Sequence, residues 1–206
     1  MADEKESIAT QVEALKNFPF PNFTRLKEAI AANAAELVVD RGVALKWAQD
    51  GIYAPRSARL STTMFTWLPI IAALGFIGWT IFSKSWIMFL ALPLLLIGYA
   101  VFHPGIGSLL GPVRTGLIGL TFIGQFYSLL SGRPSLLALC TALVLIWYGI
   151  KKAYSESFRH LIRAAAGHED LLCALWQDEA LSVQMSNGDK YWISFKIVNR
   201  QVINYG

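Results

Sequence analysis

Four residues able to make hydrogen bonds recur at spacings of 7, 4 and 3 in an otherwise apolar stretch: Arg114, Thr121, Gln125 and Ser128. At about 100° per residue they fall in a sector roughly 60° wide on one helix face. Such a stripe has two uses. It lines a water-filled path built by the same helix from several subunits, or it hydrogen-bonds a neighbouring helix while the arginine stem snorkels to the headgroups. The second use is the plainer one. Gly116 and Gly119 lie on another face, where they would let a neighbouring backbone come close.

Other reactive residue types are sparse. His160, His168, Glu169, Asp170 and Cys173 come nearest to a metal-ligand set. Ligands on one helix want i, i+3 or i+4 spacing, and His160 is about 80° from His168 with Asp170 facing away. A solvated helical face is the better account, so no metal is expected. There is no phosphate-cradling glycine loop, serine elbow or zinc-protease motif. Proton relays in membranes are usually built from Asp, Glu or His, yet no carboxylate occurs between Asp50 and Glu156 and His103 is the sole histidine there. A bis-histidine haem would need subunits to share it. Cys140 reads as a small hydrophobe. No catalytic or cofactor-binding residue is assigned.

The elements that carry these residues are set by composition. The chain has 206 residues, 54% apolar types and 16% charged. An ordinary soluble domain has about a quarter charged, and disorder needs the opposite balance. Two cysteines exclude a disulfide framework. Residues 51–155 hold all seven bases of the middle region and no acid, whereas 1–50 and 156–206 are both slightly acidic. The basic pI of about 9.1 therefore belongs to a membrane region, and nucleic-acid binding is not expected.

A span needs about 20 apolar residues, and four runs qualify: 62–82, 86–102, 114–130 and 135–150. The short turns Ser83–Ser85 and Ser131–Pro134 pair them as two antiparallel hairpins. Arg56, Arg59, Arg114, Lys151 and Lys152 fall on one side of the slab and only Lys84 and Arg133 on the other, which places both tails in the cytoplasm. No apolar run precedes the first span, so that span is expected to serve as the insertion signal. The Gly- and Pro-rich connection His103–Val113 reads as a greasy loop or a re-entrant segment. The organisation expected is a cytoplasmic helical region (1–60), a four-helix transmembrane domain (61–150) and a cytoplasmic helix with a small sheet (151–206).

In the N-terminal tail Asp3–Asn17 reads as a short polar helix, followed by the extended Phe18-Pro19-Phe20-Pro21-Asn22-Phe23. Thr24 is positioned to cap one helix running to Asp50, with Leu26, Ile30, Leu37, Ala44 and Ala48 on a stripe. In the C-terminal tail Tyr154, Phe158, Leu161, Ile162, Ala165, Leu172 and Trp176 form another stripe, which Gly167 interrupts. Leu181, Val183 and Met185 then alternate, as do Tyr191, Ile193, Phe195 and Ile197. Side-chain parity selects a three-residue loop Ser186–Gly188, because it sets Val183 opposite Tyr191 and Leu181 opposite Ile193 on one apolar face. A third strand is expected over Gln201–Tyr205.

The sequence thus describes a mainly α, multi-pass protein of the plasma or inner membrane with about three strands, whose partners are the lipid bilayer and either its own copies or another membrane or cytoplasmic protein. A non-enzymatic subunit, adaptor or sensor is the leading reading, with Phe18, Phe20, Phe23, Tyr154, Phe158 and Trp176 as its candidate interaction surface, although for Phe18, Phe20 and Phe23 tucking beneath the chain's own helix is the plainer reading. A homo-oligomeric channel lined by Arg114, Thr121, Gln125 and Ser128 stands second, and a membrane enzyme third.

Overall fold

The computed structural model describes residues 11–51, 53–103, 111–198 and 201–205, without the side chain of Asp50. It is mostly helical: α1 (Phe23–Ala31), α2 (Arg41–Asp50), α3 (Arg56–Phe82), α4 (Leu92–Phe102), α5 (Gly111–Ser131), α6 (Pro134–Gly167) and α7 (Glu169–Gln177). Five strands, β1 (Ala35–Val39), β2 (Leu181–Met185), β3 (Lys190–Tyr191), β4 (Phe195–Val198) and β5 (Gln201–Asn204), form one antiparallel sheet in that order. The chain divides into two compact units: residues 56–156, and a unit made from both tails.

The single helix expected over Thr24–Asp50 is instead helix, strand, helix. Asn22 rather than Thr24 caps α1, its side-chain oxygen accepting the Arg25 N–H at 2.9 Å. Asn33 then takes a φ of 54°. Its N–H bonds the Ile30 carbonyl at 3.0 Å, and the Ala34 N–H bonds the Ala29 carbonyl at 2.8 Å, the left-handed stop that asparagine tolerates better than most residues. Val38 and Val39 suit an extended chain. Asp40 opens α2 by accepting the N–H groups of Gly42 at 2.8 Å and Val43 at 3.1 Å.

Helix α7 ends in the same way. Glu179 has a φ of 55°, and the Ala180 and Glu179 N–H groups bond the carbonyls of Leu175 and Trp176 at 3.0 and 3.1 Å. Both α1 and α7 have nine residues, and each feeds a five-residue strand. β1 and β2 pair about Leu37↔Val183, with Ala35↔Met185 and Val39↔Leu181. Two reciprocal bonds close the ladder, Asp40 N–H to Ala180 and Ser186 N–H to Ala34, both 2.9 Å. The segments α1–β1 and α7–β2 are therefore related by an approximate local twofold axis. Leu26 and Leu172, equivalent under it, are both fully buried.

Beyond β2 the three-residue loop is present: Gly188 has a φ of 91° and Val183 faces Tyr191. The expected strand through Ile197 is broken, however, so Leu181 and Ile193 do not pair. The chain turns at Trp192–Phe195, where the Trp192 N–H bonds the Phe195 carbonyl at 2.9 Å and the two rings stack at 4.5 Å. The break and the recruitment of β1 raise the strand number from three to five. Of the expected helix Asp3–Asn17, a 3₁₀ turn over Val12–Ala14 is what the described part contains; residues 3–10, 104–110 and 199–200 of the expected elements lie outside the described residues.

Among the described residues two helices, not four, are long and apolar enough to cross a membrane: α3, and α6 over Pro134–Gly167. The run 86–102 divides into a six-residue 3₁₀ turn, Trp86–Ala91, and the eleven residues of α4, with Pro93 at the junction lacking the N–H a continuous helix needs. Helix α5 has 21 residues, but its polar stripe and glycines lower its hydropathy. Within residues 56–156, Ser85 meets Ser135 at one end. Toward the other, the Phe65 and Tyr148 rings are 6.0 Å apart, so α3 and α6 are antiparallel.

The core of the tail unit generates the first prediction. Leu26→Ala and Leu172→Ala should each cost about 2–5 kcal/mol, while Val202→Ala on the exposed strand β5 stays within about 0.5 kcal/mol. Urea unfolding of the full chain in micelles, monitored by tryptophan fluorescence, measures all three.

Candidate functional site

Side chains break the local twofold, and the break leaves a cleft. Trp176 occupies the position equivalent to Ile30 and is fully buried. Phe18 packs edge-on against it at 4.8 Å, and the Lys16 carbonyl accepts its indole N–H at 3.1 Å. Asn17, at a φ of 61°, anchors this segment by donating to the Ile193 carbonyl at 2.9 Å. At the equivalent place on the other side stand the smaller Ile30 and Ala35, and a cleft of about 400 Å³ opens there. Ile30, Ala35, Leu37, Ile162, Ala166 and Met185 line it with carbon, while Asn33, Glu36, Gln184 and Ser186 supply polar groups. That combination suits an apolar side chain on a polypeptide whose backbone can bond to the polar groups.

The proposed interaction residues are engaged within the chain itself. Phe18, Phe20, Phe23 and Phe158 pack on the core of the tail unit, to which the buried Trp176 belongs. Tyr154 packs on the core of residues 56–156, its hydroxyl 3.1 Å from Nε2 of His103. Sequence spacing offered no sign of that His103–Tyr154 pair, which joins the end of α4 to α6.

The stripe on α5 lies together on one face, where two of its hydroxyls bond their own helix. Thr121 is buried and donates to the Leu117 carbonyl at 2.7 Å; Ser128 is buried and donates to the Gly124 carbonyl. Gln125 reaches Thr141 of α6 at 3.4 Å. Arg114 is half-buried. The close approaches use other glycines than Gly116 and Gly119, where an added Cβ would meet nothing within 4 Å. A Cβ on Gly98 would come within 2.7 Å of Leu143, and one on Gly149 within 3.0 Å of the Phe65 carbonyl oxygen.

The histidine-rich segment is dispersed among separate jobs. The Glu169 carboxylate accepts the Val12 N–H at 2.8 Å. His168 stacks on Tyr53 with ring centres 4.3 Å apart, and the Tyr53 hydroxyl donates to the Asp170 carboxylate. Among the described residues no three metal-ligating side chains converge. Burial, then the carboxylates of Glu169, Asp170 and Glu13, push the Cys173 thiol up to about 11.

These groups generate two predictions. Cys173 should resist iodoacetamide at pH 8 and react only on unfolding, since the thiolate is the nucleophile; mass spectrometry of labelled peptides reads this. The hydrogen bond from Tyr53 holds Asp170 below the ordinary carboxylate range and, in the same contact, raises the Tyr53 phenol. Asp170 therefore stabilises the fold above the ordinary carboxylate pKa, and that contribution is lost as pH falls through its depressed value. The Tyr53 contribution is present below about pH 10 and is lost as pH rises through its raised value. Tyr53→Phe should move Asp170 back toward the ordinary range, as read by carbon NMR of its carboxyl group. Compared with known protein families, curated proteins and solved structures, the chain gives no match.

Proposed function

We propose that the chain is a non-enzymatic integral membrane subunit or adaptor: residues 56–156 sit in the bilayer, and the unit built from the tails binds a protein partner or another copy. One observation carries the reading. Among the described residues, 26 of the 29 exposed large apolar side chains lie between Leu60 and Tyr148. Monomeric soluble proteins rarely expose apolar surface on that scale, whereas the large apolar residues of the tail unit are mostly inside it. On this reading α3 and α6 cross the hydrocarbon, while α4, its preceding 3₁₀ turn and α5 run within the same slab. Arg56, Arg59, Lys151 and Lys152 favour tails on the cytoplasmic side.

The cleft beside Ile30 supports the binding role, because the chain fills the equivalent position with its own Phe18 and Trp176. The pore alternative draws less support: two of the four stripe residues, Thr121 and Ser128, are buried with their hydroxyls turned onto their own helix.

Two measurements test the proposal. The protein should stay with membranes through carbonate washing, and release into the wash would remove the bilayer reading. Single cysteines at Asn33 and Gln184 in a background with Cys140 and Cys173 replaced by alanine should give a discrete crosslinked adduct in native membranes. The same cysteine at Asn187, outside the cleft, should not. No adduct from either rim position would remove the adaptor reading.

A further inference from the structure

Helices α3 and α6 come close at Gly149, where an added Cβ would lie 3.0 Å from Leu68, from the Phe65 carbonyl oxygen and from Pro69. From that crossing they part. The wedge between them has a volume of about 500 Å³, and small residues make it: Ala72 and Gly75 on α3, Ala138 and Ala142 on α6. Trp79 and Pro134 line it at the end away from Gly149. There the apolar lining gives way to hydroxyls. Ser83 donates to Ser85 at 3.1 Å, and the Ser85 and Ser135 oxygens are 3.1 Å apart. Lys84 and Arg133 belong to the same two turns, are both exposed, and form no ion pair among the described residues. No Asp or Glu occurs anywhere from residue 51 to 155 to neutralise them.

We infer that this wedge binds one anionic phospholipid, its acyl chain lying along the small residues and its phosphate held by Lys84, Arg133 and the serine hydroxyls. The inference rests on the bilayer reading above. Charge complementarity selects the headgroup: two cations without a carboxylate partner, beside three hydroxyls, recognise a phosphate, and a zwitterionic headgroup brings its own cation to compete with them. Basic residues between membrane helices bind anionic headgroups by the same physics, at about a tenfold or smaller gain per residue.

Native mass spectrometry of the full chain in nonionic micelles, with equimolar dioleoyl phosphatidylglycerol and dioleoyl phosphatidylcholine, tests the assignment. The wild type should retain one phosphatidylglycerol in preference to phosphatidylcholine by roughly tenfold. Lys84→Gln with Arg133→Gln should bring that preference close to onefold. Gly75→Leu with Ala138→Leu should reduce retention of both lipids, since both residues line the wedge and a Cβ on Gly75 meets nothing within 4 Å. Equal retention of the two lipids by the wild type overturns the inference. So does a charge variant that melts at lower temperature yet keeps the preference, since the two cations would then serve only the helix ends. Carbonate release of the wild type points instead to failure of the bilayer reading, whereas firm membrane retention without lipid preference sinks the lipid site alone.

Discussion

The β1–β2 ladder is the constraint on which the tail unit depends. It joins Leu37 to Val183 and so brings together two segments separated by the whole of residues 56–156. Closing so long a loop costs entropy, though only logarithmically in its length. The return is a shared core in which Leu26, Leu37, Leu161, Leu172, Trp176 and Val183 are all essentially buried. Neither tail could bury these side chains alone: α1 and α2 flank a single strand, and β2–β5 would expose the edge that β1 covers. Anything that loosens the ladder therefore exposes both halves together, including the cleft beside Ile30.

The tail unit shows where periodicity stops being informative. Leu26, Ile30, Leu37, Ala44 and Ala48 do share a helical stripe, yet Leu26, Leu37, Ala44 and Ala48 are just as well buried by helix, strand and helix around one core. The deciding residues are polar ones at the joints. Asn33 accepts the left-handed backbone and Asp40 caps α2, and both signals are present in the sequence. Parity succeeded at Ser186–Gly188 because a half-buried strand pair leaves only one register with a single apolar face. It failed past Tyr191, where Trp192 and Phe195 stack on each other and turn the chain. The twofold relation between α1–β1 and α7–β2 rests on backbone geometry with few shared residues, Leu26 with Leu172 and Ala34 with Ala180 among them, so sequence similarity hardly records it.

Residues 56–156 pose a different difficulty. Their apolar character is plain from composition, but which faces meet is not. Gly116 and Gly119 look like contact points and have open space beside them, whereas Gly98 and Gly149 make the close approaches. A glycine permits contact without naming a neighbour, and the neighbour depends on how far each helix runs and where it is interrupted. The same limit hid the His103–Tyr154 pair and the wedge between α3 and α6, whose small residues carry no signal until both helices are placed.

The polar side chains carry a final argument, independent of exposed surface, for a difference in solvent between the units. In residues 56–156 the hydroxyls turn back on their own helices: Ser61 bonds the Ala58 carbonyl at 3.1 Å, Thr66 that of Thr62 at 2.8 Å, Thr80 that of Phe76 at 2.9 Å and Thr115 that of Gly111 at 3.2 Å, with Thr121 and Ser128 doing the same. Thr62, whose buried hydroxyl has no partner among the described residues, departs from this pattern, as do the Ser83, Ser85 and Ser135 hydroxyls and that of Thr141, which meet other side chains. Such back-bonding is mildly unfavourable in a water-exposed helix, where solvent serves as well. In hydrocarbon no water competes, and the carbonyl one turn back is the nearest acceptor a lone hydroxyl has. In the tail unit Asn22 and Asp40 cap their own helices, while other polar groups reach across segments: Glu169 to Val12, Tyr53 to Asp170, Ser182 to Val38. The prevalence of partners within one turn in residues 56–156 is what an apolar medium favours, and it agrees with the bilayer placement proposed for that unit.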